Sequence, residues 1–239
     1  MQAQNLRLAC ATAPPDARTE GKWASIVNEL SALKRGARDQ PRGLASSRKS
    51  AKKRDAILRA AIEIINAKGF AHATMSDIAA TLDLGEGALY YYFPNKQALV
   101  LACHRQSLER FEALLEAADD AGGSGAARLR HFLAGLVKDS ARNGPQLYYG
   151  EYSYLEEEQG LEITQWGDRL KARLQRFLTD GMADGSIIPC EAELVVQLML
   201  GMLIWLAKWV PGVKDITAER LMAAIGAMAF QGLEAEKRA

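Results

Sequence analysis

The sequence predicts an all-α chain: an N-terminal three-helix unit built on a helix-turn-helix, then a larger six-helix domain. Two short helical patterns meet at a tight turn within ATMSDIAATLDLGEGALYYYFPNKQALVLA, residues 73–102. An amphipathic helical pattern precedes them. Beyond residue 95, helical segments follow one another with breaks at glycine- and proline-rich points, and no strand alternation survives between the breaks.

The first helix is read from KKRDAILRAAIEIINAKGFAHATM, where Ile57, Leu58, Ala61, Ile62 and Ile65 fall on one face and Gly69 stands as the C′ glycine. Thr74, followed three residues later by Asp77, forms a capping signature that satisfies first-turn N–H groups, so a second helix opens at about Met75. Met75, Ile78, Ala79 and Leu82 share its apolar face. Asp83-Leu84-Gly85 then makes the turn: Asp83 tolerates a left-handed backbone, Leu84 plugs the gap between helices, and Gly85 stands at the next N-cap. Glu86 places a carboxylate at the positive end of a third helix, which Pro94 stops after two turns. Asn95 caps a longer helix from Lys96 towards Ala118.

With these elements in place, the chain resembles the DNA-binding domain of the TetR family of bacterial transcriptional regulators. Gly69, Phe70, Thr74, Ile78, Ala79, Gly87, Leu89, Tyr90, Tyr92, Phe93, Lys96 and Leu99 match the family pattern in order. The turn departs from it. Leu82-Asp83-Leu84-Gly85 stands where the family usually has Ala-Gly-Val-Ser, so the capping serine hydroxyl is missing and residue 85 has no side chain to offer a phosphate. The resemblance implies that Tyr92 and Lys96 clamp the DNA backbone, and that the second domain binds an inducer and forms the dimer.

Between Gly85 and Tyr92 there is no Arg, Lys, Asn or Gln, so the common bidentate contacts to guanine and adenine edges are absent. Readout then rests on Glu86 accepting from a cytosine amino group, Ala88 touching a thymine methyl, and the hydroxyls of Tyr90, Tyr91 and Tyr92. Core packing is the competing reading for Tyr90 and Phe93. Between Lys34 and Arg54 nine basic residues face one acid, a net +8 that leaves −7 for the rest of the chain. Arg48, Lys49, Lys52 and Lys53 are therefore expected at phosphates alongside Thr74, Gly85, Glu86, Gly87, Ala88, the three tyrosines and Lys96. The expectation is that this basic arm and DNA shape carry more of the binding than usual; a solvated linker without a partner is the alternative. Residues 1–47 are read as a flexible basic extension, within which WASIVNELSAL forms a short amphipathic set, 48–95 as the reader and 96–239 as the effector and dimer domain.

In that second domain the helices are expected over 96–118, 126–142, 146–158, 162–184, 191–209 and 217–235. Leu194 to Ala207 is apolar on all sides and needs a second burying surface. Val196, Leu200, Leu203 and Ala207 of this helix, with Leu221, Ile225 and Met228 of the last, are expected to form a two-fold four-helix dimer interface. An apolar, aromatic effector site is expected from Phe111, Leu115, Phe132, Leu136, Tyr149, Tyr152, Trp166, Leu170, Phe177, Met202 and Trp205, though such stripes are more often simple core. GMLIWLAKWVPG loosely resembles the matching stretch in TetR regulators of fatty-acid, steroid and aromatic catabolism, which implies an acyl-CoA effector.

Half the 239 residues are apolar and a quarter charged, ordinary globular values. Cys10, Cys103 and Cys190 form no pair or metal spacing, which suits reduced thiols in a cytoplasm. The longest apolar stretch, 14 residues, is too short for a bilayer. His72, His104 and His131 are too scattered for a metal set, no nucleophile or phosphate-loop motif occurs, and no cofactor or catalytic residue is expected. The function expected is a dimeric, effector-released repressor on a palindromic operator. The alternatives are a DNA-binding architectural or partner-binding module without a ligand, or a small all-helical enzyme.

Overall fold

Short-range capping chemistry sets the first part of the molecule. In a computed structural model, residues 42–147, 152–210 and 213–230 are described, residues 42–48 by backbone alone. Expectations for residues 1–41, for the side chain of Arg48, and for Tyr149 lie outside the described residues. Three helices form the reader: α1 (Arg42–Lys68), α2 (Met75–Thr81) and α3 (Glu86–Tyr92). α1 starts earlier than its apolar pattern, so six of the nine basic residues between Lys34 and Arg54 sit on helical backbone and not on a loose arm. It ends where expected: Gly69 has φ 81° and its N–H donates to Ile65 O at 2.8 Å.

α4 (Lys96–Ala121) belongs to both halves of the molecule. Its Leu99, Val100 and Cys103 pack with Ile57, Ile62, Ile78 and Leu89 in the reader core. Further along, its Phe111, Leu115 and Ala118 pack into the larger core with α5 (Gly125–Asn143), α6 (Glu157–Ala183), α7 (Ala192–Trp209) and α8 (Ala218–Phe230). At about 1.5 Å per residue this one helix is roughly 39 Å long. No strand occurs among the described residues.

The larger core closes on a backbone crossing. A Cβ placed on Gly125 would fall inside the main chain of Phe177 and Gly181, so α5 and α6 meet where neither carries a side chain. The loop after α6 finishes the join: Gly125 N–H donates to Asp184 Oδ2 at 2.8 Å and Ala126 N–H to Ser186 Oγ at 3.2 Å. These bonds satisfy first-turn donors of α5 that lack intrahelical partners.

Five helices follow the reader among the described residues, because the one expected over 146–158 does not form there. Long-range bonds hold this stretch in another path. Asn66 Nδ2 donates to Gln146 O at 3.2 Å and Leu147 N–H to Ser107 Oγ at 2.8 Å. Arg110, ion-paired with Asp139 at 2.6 Å, also donates to Gly144 O at 2.7 Å. Tyr152 to Leu155 then form a turn, closed by Leu155 N–H on Tyr152 O at 2.9 Å. Gly160, expected as a break, lies inside α6, where its bare Cα faces Tyr152.

α7 is longer than its 14-residue apolar core. By length and composition alone its 18 residues are enough to cross a membrane, which for a single helix is weak evidence, since the core helix of a soluble protein passes the same test. Val196, Met199 and Leu203 bury one side of it in this chain's own core, while Leu198 stays 75% exposed.

Candidate functional site

The helix-turn-helix is assembled as its caps direct. Thr74 Oγ1 accepts from Asp77 N–H at 3.0 Å and Thr74 N–H donates to Asp77 Oδ2 at 3.2 Å, a complete capping box. The hydrogen bond with the Thr74 side chain holds the Asp77 carboxyl below its ordinary range, with Lys68 at 3.3 Å adding to it. Asp83 takes the left-handed backbone, φ 51°, that the turn needs. Gly85 is the N-cap of α3 with no side-chain bond, and Asn95 Oδ1 caps α4 by accepting from Ala98 N–H at 2.7 Å.

Leu89 and Phe93 anchor α3 in the reader core, which turns Glu86, Gly87, Ala88, Tyr90 and Tyr91 outward. Of the two residues for which packing competes, only Phe93 is buried; Tyr90 is exposed. Tyr91, 83% exposed, sets its ring edge-on to half-buried Tyr92 at 5.2 Å. Glu86 is not wholly free, since its carboxylate accepts from the Ser76 hydroxyl and ties the starts of α2 and α3 together. A Cβ at Gly85 or Gly87 would meet nothing within 4 Å, so nothing inside the chain requires either glycine for space.

Lys49, Lys52, Lys53 and Arg54 are exposed on α1, and the Arg54 guanidinium lies 5.1 Å from the Phe93 ring centre. Lys96 does not reach freely into solvent. Its ammonium sits 4.1 Å from the Phe70 ring centre and donates to Ala71 O at 3.5 Å, and partial burial lowers its pKa.

A cavity of about 390 Å³ lies between α4, α6 and α7. Of the expected effector residues it brings together Phe111, Tyr152 and Leu170, and it adds Leu200 from the expected dimer set. Leu115, Phe132, Leu136 and Phe177 are core, as is the competing reading of such stripes. Trp166 and Met202 pack at the edge of that core, the Trp166 indole donating to Glu112 Oε2 at 3.2 Å. Trp205 points outward with Leu194 and Leu198 and lines no cavity described. Its place is set by helical register: the face that buries Val196, Met199 and Leu203 turns it away.

Val196, Leu203 and Ile225, expected at a dimer interface, are buried within their own chain; Leu200, Ala207 and Leu221 are half-buried. Met228 alone of that set is outward, at 65%.

His104, weighed in the sequence only as a metal ligand, was not expected in the cavity. It lies in the cavity wall, 2% exposed, and burial pushes its pKa down to about 4. The signal was there: His104, Leu108, Phe111 and Leu115 share one face of α4 at 4, 3 and 4 spacing. Lys171 and Asp168, ion-paired at 2.6 Å, add charge to the same cavity. Among the described residues no cluster of His, Cys, Asp and Glu is arranged to hold a metal ion.

A capped helix-turn-helix joined by one continuous helix to a helical domain with a half-open cavity defines a DNA-binding transcription regulator of two-domain design. The chain belongs to the TetR family of such regulators. Residues 57–103 match the family model described as bacterial regulatory proteins, tetR family, and residues 122–233 the one described as tetracyclin repressor-like, C-terminal domain. The HTH-type transcriptional repressor KstR of Mycolicibacterium smegmatis is 26% identical over 132 residues, 54% of this chain. The chain spans 64% of that relative's length. Among solved structures, the ketosteroid transcriptional regulator KstR2 of Mycobacterium tuberculosis superposes with a TM-score of 0.64 at 20% identity, covering 77% of this chain and 96% of that one. AibR in complex with isovaleryl coenzyme A and operator DNA gives 0.62 at 23% identity, covering 75% and 99%. Those likenesses concern the fold. Families and relatives alike are transcription regulators and not enzymes.

Proposed function

We propose that this protein is a transcriptional repressor that binds a palindromic operator as a homodimer and is released by a largely apolar or amphipathic effector. The observation that carries this reading is α4. One helix places Lys96 beside the reader at its start and Phe111 in the cavity wall four turns on, so an occupant of the cavity pushes on the element that holds the reader. An acyl-CoA fits the cavity's mixture, its acyl group among Phe111, Ile163 and Leu170 and its polar part towards Lys171. AibR, of like fold, has been crystallised with such a thioester and its operator.

The DNA surface in this reading comprises the outward residues of α3, Thr74, Lys96 and the basic face of α1. Lys49, Lys52 and Lys53 neutralise phosphates, and Glu86 and Ala88 read bases. The reader spans 48–95, the effector and dimer domain 96–239, and the extension 1–47 adds charge. The dimer forms on the outer faces of α7 and α8, where Leu194, Leu198, Trp205, Trp209 and Met228 are exposed. A partner copy covers that face better than lipid does, because α7 also commits Val196, Met199 and Leu203 to this chain's own core. The protein then works in the cytoplasm, where its DNA is.

The test is operator selection from random duplexes, followed by titration of isovaleryl-CoA and longer acyl-CoA thioesters into the complex. Release at stoichiometric thioester is expected. Sequence-specific binding that no acyl-CoA or apolar metabolite relieves favours a regulator without a ligand.

A further inference from the structure

A file of contacting rings crosses the boundary between the two domains, and neither the DNA surface nor the cavity accounts for it. At one end is His104, whose Nε2 lies 2.8 Å from the Tyr154 hydroxyl and whose ring meets Tyr152 edge-on at 5.2 Å. Both His104 and Tyr152 line the cavity. Tyr154 does not. Its ring stacks on Phe70, 3.8 Å between centres and 14° from parallel. Phe70 lies in the connection between α1 and α2, which Thr74 closes with its capping box. On the same Phe70 ring rests the Lys96 ammonium, at 4.1 Å, held also by Ala71 O. A part-buried hydrogen bond, a ring stack and a cation–π contact thus run in series from the cavity wall to the cation beside the reader.

We infer that Tyr154 and Phe70 are positioning residues for Lys96, and that the His104–Tyr154 hydrogen bond makes their position sensitive to what fills the cavity. Stacked Tyr154 and Phe70 give Lys96 a fixed platform beside the α1–α2 connection, the place from which it meets a phosphate. A group entering the cavity displaces Tyr152 and the His104 ring, and the hydrogen bond draws Tyr154 along with that ring and off Phe70. Lys96 then loses its platform, and DNA binding weakens. The turn Tyr152–Leu155 is closed by its own Leu155 N–H to Tyr152 O bond and lies outside any helix, so helical register does not fix where Tyr154 sits. The inference rests on the reading that the cavity takes an effector.

The test uses the full chain, a duplex it selects from a random pool, and binding measured over a salt series. The cavity is perturbed in two ways: by isovaleryl-CoA, and by Gly167→Phe, since Gly167 lines the cavity and a Cβ there meets nothing within 4 Å. In otherwise wild-type protein each is expected to weaken binding about tenfold. Tyr154→Phe keeps the stack and removes the hydroxyl, so its own affinity stays within about twofold of wild type while both perturbations lose most of their effect. Phe70→Leu is expected to lower the salt slope by about 0.9, as Lys96→Gln does, and Phe70→Tyr to restore it. Thermal melts separate these effects from unfolding. Equal weakening in wild type and in Tyr154→Phe overturns the relay and leaves the effector reading standing. An unchanged salt slope in Phe70→Leu overturns the platform. If neither perturbation weakens wild-type binding, the effector reading itself fails and the relay goes with it.

Discussion

The reader and the larger domain are both helical, yet they are held by different physics. In the reader, two helices of seven residues each are too short to stand alone, and signals within three or four residues bound them: Thr74 with Asp77 caps α2, Asp83 makes the turn between, and Asn95, capping α4 at Ala98, follows α3 directly. In the larger domain, helices of 13 to 27 residues meet through side chains and backbones that lie far apart in sequence. Gly125 against Gly181 and Arg110 against Asp139 and Gly144 are of this kind. The difference teaches where each half can yield. A cap is lost by fractions, whereas a backbone crossing fails as a whole.

The largest break should come at that crossing. In Gly125→Ala the new methyl meets the main chain of Phe177 and Gly181, which cannot move aside as a flexible side chain can. A loss of about 3 kcal/mol or more is expected in urea unfolding. Gly87→Ala is the matched control in the reader: its Cβ meets nothing, so stability should hold, while operator affinity falls if this exposed face meets DNA as proposed.

Next in size is the pH response of His104. The folded chain holds this ring neutral down to about pH 4, against 6.5 when exposed. Above 6.5 the ring is neutral in both states and costs nothing. As pH falls from 6.5 towards 4 the unfolded chain takes up a proton that the folded chain refuses, so stability drops across that window, by on the order of 3 kcal/mol at its limit. His104→Gln should flatten the slope of unfolding free energy against pH between those values. A slope that His104→Gln leaves unchanged would show that the loss comes from other groups.

The same contrast explains what the sequence disclosed. The capping box, the left-handed Asp83, the Gly85 N-cap and the Phe93 anchor are local, and spacing over three or four residues reveals them. The helix expected over 146–158 is absent from the described part of that stretch, because its path is set by Asn66, Ser107 and Asp139, 7 to 80 residues away in the chain. Gly160 reads as a break in one dimension but continues α6 in three, where a Cβ would meet Tyr152 at an ordinary 3.7 Å. On α7 the run from Leu194 to Ala207 is apolar on all sides but for Gln197, so composition says little about which face turns inward. The structure buries Val196 and Leu203 and turns Leu198 and Trp205 out. The cavity was legible only in Phe111, Tyr152 and Leu170, and its one histidine was weighed only as a metal ligand.

Smaller effects test the local half. Thr74→Ala removes the hydroxyl that accepts from Asp77 N–H and should cost about 1 kcal/mol, with hydrogen exchange of the α2 amides rising before any change in the α4 to α8 core. Should the whole molecule lose protection together, the reader is not an independently yielding half.

The smallest effect is a gain. Gly85 has the extended backbone of an N-cap, φ −68° and ψ 145°, in open space and with no side chain to accept from α3. Gly85→Ser supplies a hydroxyl where the conformation already suits one, so α3 should gain a few tenths of a kcal/mol, since glycine is only slightly worse than serine at this position. That is below what a melting curve of the whole chain resolves, but it slows exchange of the first α3 amides by up to about twofold. The hydroxyl also lies on the face proposed to meet DNA, and on that reading operator affinity should rise by more than capping alone supplies. A rise that only matches the exchange measurement would mean that residue 85 stands clear of the phosphates, and that the basic face of α1 and Lys96 carry the backbone contacts without it.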